Sequence, residues 1–393
     1  MEIRWLNAKD YDELLGMLNS VFANKYGRDM DFLNEQPKMW VRDDRHMEKH
    51  LGVFEDGVLA AVIGIYPLPL RVGEEVLLFA TTGNVATRPE YEGRGYFTLL
   101  FDRLMKELED GGFDAARLGG SRTRYGRFGF EPTGTQLYFT MNATNRLKGL
   151  GNLGGDIEFK EIERDDLETL SYVRRLYESA PLFVERSSED GERDLYLSLC
   201  TKHSTPYIAL REGKPIGYLS AYADGQFVGK SVNGRHISEY RVESGEDPAP
   251  MLCAWQRVVG KDITFTVSPL QKDACALMCA KTEEMVIKSP SHFRILSFEK
   301  IANALIKVKC RSERIPDVGF SLGIEGYGNL YISVKDGEGE CLRSDREADL
   351  TVSRSEAARM LFGYNSHLVH PALPAALRAV LPLPLIWDDM NYV

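Results

Sequence analysis

The segment 76–109 constrains the fold more than any other part of the chain. Residues 76–87 predict a strand, the loop 88–95 follows, and a helix is expected from about 96 to 109. In the expected helix, apolar residues recur at every third or fourth position and form one stripe: Phe97, Leu100, Phe101, Leu104, Met105 and Leu108. A strand, a glycine-containing loop and an amphipathic helix in this order indicate a layered α/β fold.

The flanking segments extend the pattern in both directions. Residues 2–6 alternate as a strand, and a helix is expected from Asn7 or Asp10 to about residue 23. The pair Asp56-Gly57 separates two apolar runs, HLGVFE and VLAAVIGIYPL, which is a strong hairpin signal. The run FDAARLGG at 113–120 predicts the next strand. We therefore expect a mixed α/β layer, an α+β arrangement around a mixed sheet.

A second, similar pattern begins after the glycine-rich stretch GLGNLGG at 149–155. Strand and helix signals return there in nearly the same order, which predicts a second copy of the first domain. In place of the first copy's glycine loop, the second has SGEDPAP at 244–250, with two carboxylates and two prolines. Because carboxylates repel a diphosphate, we expect this copy to be a structural repeat without a cofactor.

The last hundred residues differ from both copies. The run RILSFEKIANALIKV predicts an amphipathic helix, three alternating strands follow (FSLGIEG, NLYISVKD and ADLTVS), and SEAARMLFGY predicts another helix. The end, 371–393, is apolar and punctuated by prolines, so we expect it to dock against the other domains.

The loop PEYEGRGY at 89–96 carries the sharpest chemical signal. The first N–H groups of a helix lack partners and carry the positive end of the helix dipole, so they bind an anionic diphosphate. Glycines at 93 and 95 let the main chain approach the phosphates, and Arg94 adds positive charge. The Gly-Lys-Ser/Thr of a Walker A loop and the third glycine of a dinucleotide fold are both missing from this loop. On its own the motif is weak, because most matches of this kind are tight turns.

The run from Asn84 to Gly95 resembles motif A of the GNAT superfamily of acetyltransferases. In that family the strand end lies beside the pantetheine chain of acetyl-CoA, and the loop holds the pyrophosphate. The resemblance implies three residues in contact with pantetheine: Val85, Ala86 and Thr87. It implies six residues in the phosphate cradle: Gly93, Arg94, Gly95, Tyr96, Phe97 and Thr98. Glu92 stands where arginine is frequent in the family, which makes the cradle less positive.

A narrower resemblance covers nearly the whole chain. The motif YGRFGF at 125–130, two GNAT-like halves and a C-terminal part similar to sterol carrier proteins resemble the Eis (enhanced intracellular survival) acetyltransferases. This implies a catalytic acetyl-CoA-binding domain at 1–150, a degenerate GNAT-like domain at 151–290 and a sterol-carrier-like domain at 291–393. It also implies that Tyr125 is the general acid, that the α-carboxylate of Val393 is the general base, and that Ser121 contacts acetyl-CoA. Eis proteins usually end in phenylalanine, so Val393 departs from their pattern.

The resemblance implies transfer of an acetyl group to primary amines of aminoglycoside-type polycationic molecules by a homohexamer. One alternative is a lysine or polyamine acetyltransferase with the same cofactor site. Another is a non-catalytic protein that binds lipid or acyl-CoA, in which Tyr125 would be a packing residue near a helix end.

Charge and composition limit the partners. The chain has 58 acidic against 48 basic residues, a formal charge of −10, which disfavours nucleic-acid binding because phosphate contacts need basic residues. No run of about 18 apolar residues predicts a membrane span, and the first residues do not resemble a signal peptide. The six cysteines are sparse, which fits a reducing cytoplasm and gives no zinc spacing, so we expect no metal.

Two groups of polar residues remain open to interpretation. His46 and His50 have helical spacing without the HExxH pattern, so we expect a solvated helix face rather than a metal site. Arg122, Arg124 and Arg127 lie close to Tyr125 in sequence. They are equally suited to neutralise coenzyme phosphates or to pair with the many carboxylates.

Overall fold

A computed structural model describes residues 1–186, 192–222, 235–244, 246–369, 373–388 and 391. The first third of the chain supplies seven strands: β1 (Glu2–Trp5), β2 (His50–Glu55), β3 (Val58–Val72), β4 (Glu75–Thr87), β5 (Ala115–Leu118), β6 (Glu131–Thr133) and β7 (Gln136–Met141). Its helices are α1 (Tyr11–Tyr26), α2 (Phe32–Glu35), α3 (Asp44–Met47), α4 (Tyr96–Asp110) and α5 (Arg122–Tyr125). The strand, loop and helix expected at 76–109 are confirmed as β4 and α4, and the mixed α/β fold class is confirmed.

The middle of the chain continues with strands β8 (Ile157–Glu161), β9 (Leu182–Val184), β10 (Ser204–Arg211), β11 (Lys214–Tyr222), β12 (Ile237–Val242), β13 (Ile263–Val267) and β14 (Glu284–Lys288). Its helices are α6 (Leu167–Glu178), α7 (Glu192–Leu199), α8 (Ala249–Val259) and α9 (Lys272–Lys281). The last part contains β15 (Ser291–Ile295), α10 (Phe298–Ser312), β16 (Val318–Ile324), β17 (Gly328–Lys335), β18 (Glu338–Arg343), β19 (Leu350–Val352), α11 (Arg354–Phe362), α12 (Ser366–Val369) and α13 (Ala375–Val380).

The largest sheet positions the glycine loop. Its strand order is β1-β2-β3-β4-β5-β15-β6, with β9 paired to β3. The hairpin between β2 and β3 turns at Asp56 and Gly57, which both have positive φ as a tight hairpin of this kind requires. Strands β4 and β5 run parallel, whereas the other neighbours in this order are antiparallel.

Helices cover the two faces of this sheet. On one face, Leu100, Phe101 and Leu104 of α4 pack against Ala80 and Ala116. This is the apolar stripe expected for 96–109, with the charged side of the helix turned outward. On the opposite face, α1 packs against β3 and the end of β4.

Each of two sheets contains a strand from a distant part of the chain. Strand β15 enters the first sheet between β5 and β6, and β7 enters a second sheet between β13 and β14. A further sheet of the middle region has the order β12-β11-β10-β8. Strand pairing therefore joins segments on either side of residues 150 and 290, where we expect domain limits.

The pairing of β15 also corrects the helix expected from Arg294 onward. Residues 291–295 alternate between buried and half-buried and pair as a strand with β5 and β6.

The C-terminal part is a four-stranded sheet in the order β18-β17-β16-β19, covered by α10 and α11. Its core is continuous with one face of the first sheet, since Phe79, Phe293 and Trp387 pack their rings together. No helix in the described ranges is long and apolar enough to cross a membrane.

Candidate functional site

The end of β4 extends beyond its pairing with β5, next to the glycine loop. Strand β5 pairs with Phe79–Thr82 and ends at Leu118, so its pairing stops before the last five residues of β4. On the other side, Val62 lies opposite Ala86 and Gly64 opposite Gly83, so β4 has one extra residue there. This is a β-bulge, a feature that bends a strand and redirects its polar groups.

The bulge centres on Asn84, which has a φ of 52°. The three residues that follow it were expected to contact pantetheine. Val85 is half-buried on the α4 face, Ala86 is buried on the α1 face, and Thr87 is half-buried. They pair with β3 on one side, and on the β5 side no described strand pairs with them.

The glycine loop presents bare main chain at the start of α4. Gly93 and Gly95 have φ values of 77° and 85°, which glycine adopts at no steric cost. A Cβ at either position would meet no heavy atom within 4 Å, so the space in front of the loop is empty. Helix α4 begins at Tyr96, and none of the described side chains caps it. These residues fit an anionic diphosphate, because the first N–H groups of the helix have no side-chain cap and lie at the positive end of its dipole.

The cradle also contains a carboxylate that sequence reasoning missed. Glu55, at the end of β2, accepts a hydrogen bond from Arg94 at 2.7 Å and another from the hydroxyl of Tyr96. The hydrogen bond to this carboxylate raises the pKa of the Tyr96 phenol. The Arg94 guanidinium also lies 4.9 Å from the ring of Tyr91. A glutamate one residue before the hairpin turn at 56–57 was the only sequence signal for this contact.

Tyr125 lies against the first turns of α4. It is 7% exposed, and its ring centroid lies 5.3 Å from that of Phe101 and 6.1 Å from that of Phe97. A Cβ at Gly120 would come within 2.7 Å of the Tyr125 ring, so glycine at 120 makes room for the phenol. The structure thus brings Tyr125 together with Phe97 of the cradle.

The three arginines near Tyr125 have different contacts. Arg122 forms an ion pair with Glu131 at 3.1 Å. Arg127 donates to the hydroxyl of Thr98 at 3.1 Å, at the start of α4. Arg124 and Arg127 both lie over the ring of Phe97. Two cations therefore border the cradle, and the third pairs with a carboxylate.

Ser121 follows β5 and precedes α5. It is exposed, and its hydroxyl lies 2.7 Å from that of Thr123. It stands beyond the end of β5, the strand whose pairing with β4 ends before Val85.

A buried polar chain, which the sequence did not reveal, supports the bulge. The side-chain amide of Asn84 donates to the hydroxyl of Tyr66 at 2.6 Å, and this hydroxyl lies 2.7 Å from Nε2 of His50. The other ring nitrogen of His50 lies 3.2 Å from the carbonyl oxygen of Met47. A Cβ at Gly64 would come within 2.2 Å of the Tyr66 hydroxyl, so a glycine two residues before Tyr66 leaves room for it. We call His50, Tyr66 and Asn84 the bulge network.

The expectation of a solvated face for His46 and His50 is wrong. His50 is fully buried in β2, where Trp40 stacks on it, and burial lowers its pKa to about 4. His46 is also buried and its ring nitrogen lies 2.7 Å from a carboxylate oxygen of Asp43. Helical periodicity failed here because a short helix ends at Met47 and a strand begins at His50. Within the described ranges, no three His, Cys, Asp or Glu residues are grouped to hold a metal.

In the region expected to be a second copy, the start of α8 is occupied by a carboxylate of the preceding loop. Oδ1 of Asp247 accepts a hydrogen bond from the main-chain N–H of Ala249, the first residue of α8, at 2.8 Å. Glu246 lies 3.6 Å from Arg211. A carboxylate at this helix start competes with a phosphate, which supports the expectation of a repeat without a cofactor.

Two residues near the C-terminus, Asp388 and Asn391, contact the middle region of the chain. Asp388 pairs with Arg241 of β12 at 2.8 Å, and Asn391 is buried within 3.4 Å of Arg186. Arg186 forms a fully buried ion pair with Glu239. Val393, the expected general base, lies outside the described residues.

Comparison with known proteins agrees with this geometry. Residues 2–133 match the family model described as an acetyltransferase (GNAT) domain. No curated protein matches the sequence.

Solved structures of similar fold span the whole chain. A GCN5-related N-acetyltransferase from Kribbella flavida is 18% identical, with a TM-score of 0.64, and the match covers 100% of this chain and 98% of that one. A probable N-acyltransferase from Enterococcus faecalis is 15% identical, with a TM-score of 0.65 and coverage of 98% and 97%. Eis1 from Mycobacterium abscessus is 15% identical, with a TM-score of 0.62 and coverage of 99% and 98%. Residues 2–133 thus match an acetyltransferase (GNAT) domain, and the chain has the fold of these solved structures over its full length.

Proposed function

We propose that this protein transfers an acetyl group from acetyl-CoA to a primary amine. The observation that carries the proposal is the uncapped start of α4 behind Gly93 and Gly95, with Tyr125 packed against the first turns of the same helix. The open edge of β4 at Val85 lies on the same side of the sheet. One helix therefore joins an anion site, a strand edge and a phenol.

Each part of the site has a task in this proposal. The free end of β4, at Val85, Ala86 and Thr87, would pair with the amides of pantetheine. The cradle of Gly93, Arg94, Gly95, Tyr96, Phe97 and Thr98 would hold the pyrophosphate, and Ser121 would contact the coenzyme from the end of β5. The bound coenzyme supplies the acetyl thioester.

Tyr125 would act as the general acid. The amine nitrogen forms a bond to the acetyl carbonyl carbon, the carbon–sulfur bond breaks, and the phenol gives its proton to the departing sulfur. A tyrosine with a reference pKa of about 10 is protonated at neutral pH and can donate to a thiolate whose acid has a pKa of about 8.5. The amine loses one proton, and the products are an amide and the free thiol.

The carboxylate of Val393 would receive the amine proton. Its reference pKa, about 3.5, makes it a weak base, so it would act through a water molecule or orient a cationic amine. The burial of Asn391, two residues before Val393 and near Arg186, supports this role. Residues appended after Val393 should suppress activity, whereas the same residues placed before Met1 should not. A fully active C-terminal fusion would remove this role.

The acceptor class rests on the Eis resemblance. Aminoglycoside-type polycationic amines fit a chain of formal charge −10. The test is release of free thiol from acetyl-CoA on addition of aminoglycosides, polyamines or lysine peptides. Turnover of aminoglycosides alone supports the proposal, turnover of lysine peptides or simple polyamines alone supports the alternative acetyltransferase, and no turnover with any acceptor opposes an amine acetyltransferase.

Other features belong to the same proposal. The domain limits at 150 and 290, the sterol-carrier-like character of 291–393, the homohexamer and the cytoplasmic location rest on resemblance and composition. If the chain were instead a lipid or acyl-CoA carrier, ligand binding would concentrate in 291–393 and Tyr125→Phe would leave function intact.

A further inference from the structure

Strand β14 forms an open edge of its sheet. It pairs with β7 in the order β13-β7-β14, with Val286 opposite Tyr138, and no described strand pairs with its other side. All five of its residues are exposed. The outward main-chain N–H and C=O groups of such an edge are a template for another strand.

The side chains on this edge are apolar at its centre. Met285 and Val286 are each 42% exposed and Ile287 is 40% exposed, although they are consecutive residues of one strand. The exposed Cys279 extends the apolar surface, since its sulfur lies 3.4 Å from that of Met285. Soluble proteins usually protect an open edge with charges, proline or a bulge at its centre. In β14, charges stand only at the two ends, Glu284 and Lys288.

We propose that β14 pairs antiparallel with β14 of a second copy of this chain, about a two-fold axis at Val286. The opposite charges at the two ends of β14 favour a second copy as the partner and an antiparallel direction. In the antiparallel arrangement Glu284 lies opposite Lys288 of the second copy at both ends, and Met285 lies opposite Ile287. A parallel arrangement would place like charges together, which is destabilising.

The contact would join two three-stranded sheets into one of six strands. It is isologous, so each copy contributes the same five residues and the contact closes after two copies. The apolar side chains gain cross-strand neighbours on both faces, since Met285 and Ile287 point to one face and Val286 to the other. The proposed catalytic function plays no part in this argument.

A charge exchange tests the pairing and its direction. Sedimentation velocity of the full chain over a range of concentrations should show association that Glu284→Lys weakens at least about tenfold, because it places two lysines at each end. Lys288→Glu should weaken it similarly, and the double variant Glu284→Lys/Lys288→Glu should restore it. Far-UV circular dichroism and the melting temperature show whether each variant is folded.

Val286→Lys provides a second measurement, because the two-fold contact would place two lysines opposite each other at its centre. A wild-type chain that remains monomeric at the highest concentration overturns the proposal. So does a double variant that associates no better than the two single variants, or association that Val286→Lys does not reduce.

Discussion

Arg94 and Glu55 form an ion pair of 2.7 Å at the mouth of the glycine loop. The arginine was expected to add positive charge to a phosphate cradle, yet a carboxylate from the neighbouring hairpin lies against it. Glu55 also accepts a hydrogen bond from the hydroxyl of Tyr96. It therefore fixes two residues of the cradle, while its negative charge repels the anion that the cradle would bind.

Replacing this carboxylate should therefore strengthen acetyl-CoA binding. In Glu55→Gln the side-chain oxygen still accepts from Tyr96, but the negative charge beside the diphosphate is gone. We expect affinity to rise about two- to threefold, the size of an exposed charge interaction, and the gain to shrink in high salt. Titration calorimetry at two salt concentrations measures the affinity. Arg94→Ala removes the positive charge of the pair and should lower the affinity instead. Weaker binding by Glu55→Gln at low salt would show that the carboxylate is needed to shape the cradle.

Gly95→Ala should damage binding more than stability. The residue has a φ of 85°, so alanine costs about 1–2 kcal/mol in strain, and its methyl group would enter the space expected to hold the phosphates. We expect acetyl-CoA affinity to fall at least about tenfold.

Gly112→Ala is the matched control for this substitution. Gly112 also has positive φ, 66°, and open space at its Cβ, but it lies after the far end of α4. Both variants should lose similar stability in thermal melts, and only Gly95→Ala should lose affinity. Equal affinities in the two variants would mean that the loop does not contact the coenzyme.

Tyr125→Phe should separate chemistry from binding. Its ring packs against Phe97 and Phe101, contacts that phenylalanine keeps, so acetyl-CoA affinity and the melting temperature should change little. Loss of a general acid should lower kcat by about 10²–10⁴. Tyr96→Phe removes another phenol of the same site and should change kcat far less. Thiol-release kinetics distinguishes the two, and equal kcat values would exclude an acid role for Tyr125.

The sequence predicted the parts of the site that depend on local chemistry. The strand to 87, the glycine turn and the helix from 96 follow from periodicity and from the conformations open to Gly93 and Gly95. The hairpin at Asp56-Gly57 follows from its turn residues. Each of these signals lies within a few neighbouring residues, so no tertiary contact was needed to find it.

The features that depend on distant parts of the chain were missed. The insertion of β15 between β5 and β6 joins residues about 170 positions apart, and only the pairing decides that Arg294 lies in a strand. Likewise, Glu55 meets Arg94 across 39 positions. The role of His50 depends on Tyr66, which only the folded sheet brings next to it. Periodicity gives the burial of a face, but it does not give the partner of a polar group.

The bulge network should control the site through the backbone of Asn84. Tyr66→Phe removes the acceptor of the Asn84 amide, which helps to hold an αL conformation that non-glycine residues avoid. We expect acetyl-CoA affinity to fall about three- to tenfold, with about 1–3 kcal/mol lost in stability because polar groups are left unpaired. Adding Asn84→Gly should recover affinity, since glycine adopts this φ without an anchor. Calorimetry on both variants measures this, and no recovery in the double variant would mean that Tyr66 acts in some other way.

The same network should make the fold sensitive to acid. Burial lowers the pKa of His50 to about 4, whereas in the unfolded chain it is about 6.5. Between these values the unfolded chain binds a proton that the folded protein excludes, so the free energy of unfolding decreases as pH falls through this window. A difference of about 2.5 pKa units corresponds to about 3 kcal/mol, all of it lost near pH 4. Urea unfolding of the wild type and of His50→Gln, which can still accept from Tyr66, should give a steeper loss between pH 6.5 and 4 for the wild type. Parallel curves for the two proteins would place the acid sensitivity elsewhere.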